Sequence, residues 1–400
     1  MKKLIFLSLA FMVLANSIFA KSFFDERYVE LRVEAPFGFS NNTFSATDIF
    51  KKDLVIDLKK IADTIPEKGL DFALYANPNV QLNFRFGDVF VGFEDGTDIY
   101  GKLNISKDLF KFIGYGNEIG ETLDISCDAI FDAFAYSQFS FGLKTGKIKF
   151  RVTPGVFIPI ASATSGDSKF SYVNSEDGTI SLNLSSKFDV YTIIDFSEME
   201  KYSSFNYEDY IRYAGVDLGG IIGYQVFSPL LIYADFRIPI VPGILPMHAS
   251  MSNEFTMNMK IMNFDNMDEP DSQLMQFKYD TSSSYKINRP LKFMGYMDFA
   301  PLGNFLDIKA GAGLGVRHPF VSDSYVYPQY YVGFMFNLFN VLKLGVSSDY
   351  IDQIFKQQLT SVLNLRIIEI DAGISMQSTS FLKSFSKCGV GAYLAFSIGF

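Results

Sequence analysis

His248 and His318 are the only histidines in a chain of 400 residues, so acid–base or nucleophilic chemistry near neutral pH has few places to start. Neither lies at a sequence spacing from a nucleophile or a carboxylate that identifies an outer-membrane protease or phospholipase. His318, beside Pro319, reads as a solvated residue at a strand end. No phosphate loop and no zinc-type spacing is present. Cys127 and Cys388 are far apart and outside any CxxC pattern, which leaves one disulfide in an oxidising compartment or two buried thiols. The expectation is a protein that is not an enzyme and uses no metal and no cofactor. A formal net charge of -9 with no basic patch also argues against nucleic acid as a partner.

Two other residue sets could do work. The first is charged and interleaved with apolar residues: Lys144, Lys149, Arg151, Asp217, Asp235, Arg237, Asp307, Lys309 and Arg317. Side chains of an extended strand alternate between faces, so these residues share the face opposite the apolar one and line an interior. Ion-selective pores use rings of one sign. Mixed signs instead favour a plugged or narrow interior over an open, charge-selective porin, with ordinary polar lumen residues as the plainer alternative. The second set is soft and apolar: Met251, Met257, Met259, Met262 and Phe264 within Met247 to Met275. Flexible thioethers make adaptable contacts with apolar ligands, so this stretch is a candidate for substrate capture. Phe255, Met257, Met259 and Ile261 also alternate as a strand. Leu109 and Phe112, in a stretch from Asp108 to Phe134 that reads as helical turns over an entrance, join the capture set.

Such residues need strands to position them. Phe139, Phe141 and Leu143 face one way, Thr145 and Gly146 turn the chain, and Ile148, Phe150 and Val152 return. The same hairpin rule holds around Ser228 and Pro229, Pro301, Asn340 and Arg366. On the strand from Leu306 to Val316 the polar face carries Gly311, Gly313 and Gly315, which suits a crowded interior. Counted back from Phe400, the short turns fall on one side. The longer connections, Ala161 to Thr179, Phe196 to Arg212 and Tyr350 to Gln357, fall on the other. That segregation is the habit of outer-membrane barrels. Aromatic residues make up 16% of the chain, yet no apolar stretch is long enough for a membrane helix, so a closed barrel is the remaining way to span lipid. The fold class is therefore all-β, a transmembrane antiparallel β-barrel of about 14 strands, within a range of 12 to 16.

The termini complete the organisation. Lys2 and Lys3 before an apolar run from Leu4 to Ala15 predict a signal peptide over residues 1–20. Residues 21–79 form an N-terminal segment with a helical stripe between Asp53 and Ile65, either a plug in the lumen or a cover on one rim. Residues 80–400 form the barrel. Leu394, Phe396, Ile398 and Phe400 lie on one face of the last strand and resemble the C-terminal signature read by the barrel assembly machinery.

A predicted cleaved signal, an N-terminal segment with a possible helix and the Ala76 to Asn79 stretch, then a large barrel ending in Phe, are together similar to the FadL-type outer-membrane transporters of long-chain fatty acids. Asn77 and Pro78 match that family's Asn-Pro-Ala hatch motif, while Asn79 replaces its Ala. The resemblance implies a lumen-filling hatch, apolar capture at external loops, and passive release of a small hydrophobic molecule by a lateral or hatch-gated path. It places a monomer among outer-membrane lipids. A surface-exposed structural or adhesive barrel and a general porin are the alternative readings.

Overall fold

The computed structural model describes residues 27–44, 57–165, 168–193, 210–260, 271–280, 283–302, 305–321, 324–338, 341–385 and 389–400. The chain begins in the wall. Strand β1 (Val29–Asn41) leads through helix α1 (Leu58–Thr64) to β2 (Leu70–Ala76) and β3 (Asn79–Phe86). β2 and β3 both pair with β1 in one continuous antiparallel register, Phe37 facing Ala76 and Glu34 facing Asn79. They are a single wall strand interrupted at Asn77 and Pro78.

β4 (Val89–Ile105) ends in helix α2 (Lys107–Tyr115), after which β5 (Thr122–Thr145) and β6 (Ile148–Ser165) form the longest hairpin. Next come β7 (Lys169–Asn174), β8 (Thr179–Thr192), β9 (Gly215–Phe227), β10 (Leu230–Val241), the short β11 (Gly243–Leu245), β12 (Met247–Lys260), β13 (Asp271–Asp280) and the short β14 (Tyr285–Ile287). The remaining wall is β15 (Leu291–Phe299), β16 (Leu306–Arg317), β17 (Tyr325–Leu338), β18 (Leu342–Ile351), β19 (Ile354–Asn364), β20 (Ile368–Ser378) and β21 (Val390–Gly399).

Pairing runs from β1 through β2/β3, β4, β5, β6, β9, β10 and then β15 to β21, which pairs back onto β1. The antiparallel circuit is closed and leaves no free edge. It has fourteen wall strands when β2 and β3 are taken as one, and β8 and β12, joined at the rim through β6, bring the long strands to 16. Both figures lie within the predicted range.

Alternation decides which face meets lipid. Phe139 and Phe141 are 50% and 44% exposed on the outside, as are Val152, Ile222, Phe293, Leu344 and Ile374, whereas Asp217, Lys309, Arg317 and Glu369 are buried inside. An apolar outer face around a closed antiparallel wall is the arrangement of a transmembrane barrel. Gly311, Gly313 and Gly315 stand where side-chain atoms of Tyr296, Met294 and Tyr327 occupy the space a Cβ would take, so the crowded interior read from their spacing is present.

The tight turns at Gly87, Gly146, Ser228 and Pro229, and Arg366 all lie at the Phe400 end, with Gly87, Gly146 and Arg366 at positive φ. The longer connections lie at the opposite rim. One expected long connection is absent: Tyr350 to Gln357 is strand except for Asp352 and Gln353. Both have positive φ and make a two-residue hairpin turn.

The domain boundary at residue 79 does not hold. Val29–Asn41 and Leu70–Asn79 belong to the wall, because the Ala-Asn-Pro-Asn stretch read as hatch continues a strand register. α1 is capped by Asp57, packs against α2 and sits at the rim opposite Phe400, so this part of the N-terminal segment is a rim cover and does not fill the lumen. Leu54 and Ile56 of its predicted stripe, and the predicted signal peptide, lie outside the described residues.

Candidate functional site

The interior is built by the inward half of each strand. Since every second residue points in, charges spaced by two in sequence are brought against charges from the opposite wall. Asp98 on β4 receives Arg237 of β10 at 3.4 Å and Arg289 at 3.6 Å. Arg289, on the irregular segment between β14 and β15, also holds Asp217 of β9 at 2.8 Å and lies over the Tyr136 ring, 4.0 Å from its centroid. Arg237 Nε donates to the Pro290 carbonyl at 3.0 Å, which ties that segment down. Tyr136 in turn donates to Glu94 at 2.7 Å.

A second crosslink sits beside the first. Arg317 of β16 spans from Asp132 on β5, 2.9 Å away, to Asp352 in the β18–β19 turn at 3.1 Å, and packs 3.8 Å above the Tyr100 ring. His318 Nε2 lies 2.9 Å from the same Asp132 carboxylate, which also accepts from the Ser162 hydroxyl at 3.0 Å. Asp132, Arg317 and His318 are each no more than 2% exposed, so His318 is not the solvated rim residue its position suggested. The positive φ of His318 turns the chain inward at the strand end and explains the difference.

Between these crosslinks lies a cavity of about 420 Å³, lined by both signs of charge, including Glu34, Asp98, Arg237, Lys292 and Lys356, and by Tyr75, Asn77 and Asn79. Charges of both signs pair with one another across this cavity and leave no ring of one sign along it.

An apolar cluster adjoins these charges. Phe134 and Phe157 meet edge to face with centroids 5.8 Å apart and bury Ile193, Tyr210, Leu245 and Ile287 against them. β11 and β14 pair with each other and carry Leu245 and Ile287 into this cluster. The interior thus holds a buried apolar and aromatic cluster beside its charged crosslinks, with Phe134 in register with Asp98 and Phe157 with Tyr136.

The predicted lumen residues are all on the inward face. Asp235 and Arg237 line the cavity, Asp217 and Arg317 lie toward the rim opposite Phe400, and Lys309 lies over the rings of Tyr233, Tyr296 and Tyr331. Lys144, Lys149 and Asp307 fall near the Phe400 end, and Arg151 packs over Phe90.

The predicted capture residues scatter. Phe112 on α2 is engaged with Phe170 and Tyr172 of β7, at 6.1 and 4.9 Å between centroids, and Leu109 is half-buried on the same helix. Met251, Met257 and Met259 are on β12, facing Phe188, Leu182 and Ile180 of β8 in register, so their alternation is that of a strand. Met262 and Phe264 lie outside the described residues. The stretch from Asp108 to Phe134 is helical only to Tyr115 and continues as β5.

Asp98, Asp132, Asp352 and the Phe134/Phe157 cluster were not singled out from sequence. Alternation marks Asp98, two residues from Gly96 and from Tyr100, but nothing marks Arg289, which lies outside any strand. Leu394, Phe396, Ile398 and Phe400 face outward on β21, the strand that closes the ring.

The fold and the interior define a transmembrane β-barrel with a polar, crosslinked lumen and a buried apolar cluster beside it. No protein-family model matches the sequence, and no curated protein matches it. Among solved structures, the chain is similar to the Ralstonia pickettii toluene transporter TbuX (10% identity, 93% of this chain and 89% of that one, TM-score 0.46). It is also similar to the P. putida toluene transporter TodX (9% identity, 95% and 91%, TM-score 0.47) and to the translocator domain of the autotransporter NalP from Neisseria meningitidis (8% identity, 95% and 91%, TM-score 0.33).

Proposed function

We propose that this protein is an outer-membrane barrel for passive uptake of small hydrophobic molecules. The observation that carries the reading is an apolar, aromatic cluster set inside the wall beside a crosslinked, charged lumen. The cluster of Phe134, Phe157, Leu245 and Ile287 offers apolar side chains for a substrate to pack against once the site opens, while the Asp98–Arg237–Arg289 and Asp132–Arg317–Asp352 crosslinks narrow the lumen for hydrated solutes. An apolar molecule gains about 25 cal/mol per Å² of surface removed from water.

A way out exists through the wall. Pro36 and Pro78 both lack an N–H, so the interrupted strand loses one ladder bond toward β1 and one toward β4 at adjacent positions, beside the cavity that Asn77 and Asn79 line. Asn77 N still donates to the Pro36 carbonyl and Thr97 N to the Pro78 carbonyl, each with no return bond. Release at this weak point delivers the molecule to lipid. The protein acts as a monomer, and the outward apolar face of β21, with Leu394, Phe396, Ile398 and Phe400, is the segment we assign to recognition by the assembly machinery.

The test is uptake of a fluorescent fatty acid and, separately, liposome swelling with a small sugar, both on the reconstituted barrel. Faster fatty-acid entry without swelling supports the reading, and swelling without fatty-acid entry identifies a porin. One observation favours a second reading. β8 and β12 pair along their whole length beyond the β6 rim, a projecting sheet that suits binding to a protein at the cell surface.

A further inference from the structure

His248 stands outside the lumen network, at the base of the projecting sheet. Its Nδ1 is 3.0 Å from the Ser283 hydroxyl and its Nε2 is 2.9 Å from Asp189 Oδ1. The three residues come from β12, from the segment just before β14, and from β8, so only the fold brings them together. Asp189 is fixed from its other oxygen by Lys187 at 3.0 Å. A carboxylate on Nε2 selects the tautomer that carries its proton there, which leaves the Nδ1 lone pair to accept the Ser283 proton. The imidazole is also held in plane. Tyr191 stacks on it with centroids 4.5 Å apart, and Tyr285 stacks on the far face of Tyr191 at 4.5 Å. Both tyrosines are partly buried against the Phe134/Phe157 cluster, so the surroundings of the serine and histidine are aromatic and apolar on that side.

We propose that Ser283, His248 and Asp189 form a nucleophile, general base and positioning carboxylate that hydrolyse carboxylic esters bearing an apolar group at the outer mouth of the barrel. Ser283 Oγ forms a bond to the ester carbonyl carbon as its proton passes to His248 Nδ1. Collapse breaks the bond to the alcohol oxygen, which leaves with that proton. Water then attacks the acyl-serine, giving one proton to Nδ1, and the departing Ser283 oxygen takes it back. The acid, the alcohol and the free serine result, with no net change at His248 or Asp189.

The experiment uses the full-length folded barrel in detergent, a fluorophosphonate probe and p-nitrophenyl butyrate. The expected result is a phosphonyl adduct on the Ser283 peptide by mass spectrometry, and ester hydrolysis that falls about 100-fold or more in Ser283→Ala and His248→Gln. Asp189→Asn retains the adduct site but labels more slowly, with a displaced pH profile that loss of a merely structural contact does not produce. A folded wild-type barrel with no adduct at Ser283, or with hydrolysis equal to that of Ser283→Ala, overturns the proposal. If Ser283→Ala does not fold, the site of the wild-type adduct alone decides. None of these readouts depends on uptake, so the proposal and the transport reading fail separately.

Discussion

Asp132 holds two partners, Arg317 and His318, at nearly zero exposure, and its neighbourhood shows how single residues govern this interior. Removing one member of a buried pair strands the other in a medium that cannot solvate it, at a cost of about 3–5 kcal/mol. Asp132→Ala is therefore expected to lower the urea unfolding free energy of the reconstituted barrel by about that amount. Asp132→Asn, which keeps a hydrogen-bond acceptor for Arg317, costs less. A midpoint unchanged in Asp132→Ala contradicts the assignment. Alternation with period two was enough to place Asp217, Arg237, Lys309 and Arg317 inside. It could not supply their partners. Arg289 lies where no strand period applies, and His318 meets an aspartate 186 positions away.

At the scale of elements, the wall strand from Leu70 to Phe86 carries the most specific expectation. Pro36→Val with Pro78→Val restores the missing ladder donors, so the double variant keeps the barrel and slows fatty-acid uptake several-fold in the reconstituted assay. Unchanged uptake with restored pairing removes the wall exit. The projecting sheet gives a pH expectation. Burial alone raises the Asp189 carboxyl, but hydrogen bonds from His248, Lys187 and Ser250 outweigh it and hold the group below the usual carboxylate range. A lowered folded value means that its stabilisation of the β8–β12 base is complete above the unfolded value, about 3.9, and is lost as pH falls through the folded one. The protection of the Val190 and Ala249 amides, with intrinsic exchange divided out, should fall as pH drops below about 4. The hairpins were legible because each turn and each alternation is local. The Asn77–Pro78 pair was misread as hatch, since a pair that commonly forms turns gives no sign that the strands on either side keep one register. The β18–β19 turn was read as a long connection because Asp352 and Gln353 are not the usual glycine or asparagine of such turns.

For the whole molecule, closure of the wall, the apolar outer face and the end-to-end segregation of turns were all readable from pattern, whereas the lumen filling was not. The predicted plug from the N-terminal segment is replaced, among the described residues, by crosslinks that the wall strands and residues 288–289 make themselves. A planar-bilayer recording is therefore expected to show low ionic conductance, which rises when Asp98→Ala and Arg237→Ala are combined. A large wild-type conductance contradicts a closed waist. An apolar molecule held against the Phe134/Phe157 cluster should survive mild extraction, and mass spectrometry of small molecules that copurify with the folded barrel detects it. Reproducible fatty acids or other apolar compounds that disappear in Phe157→Asp are expected. A barrel that is empty in wild type and variant alike contradicts uptake and transfers the function to the projecting sheet.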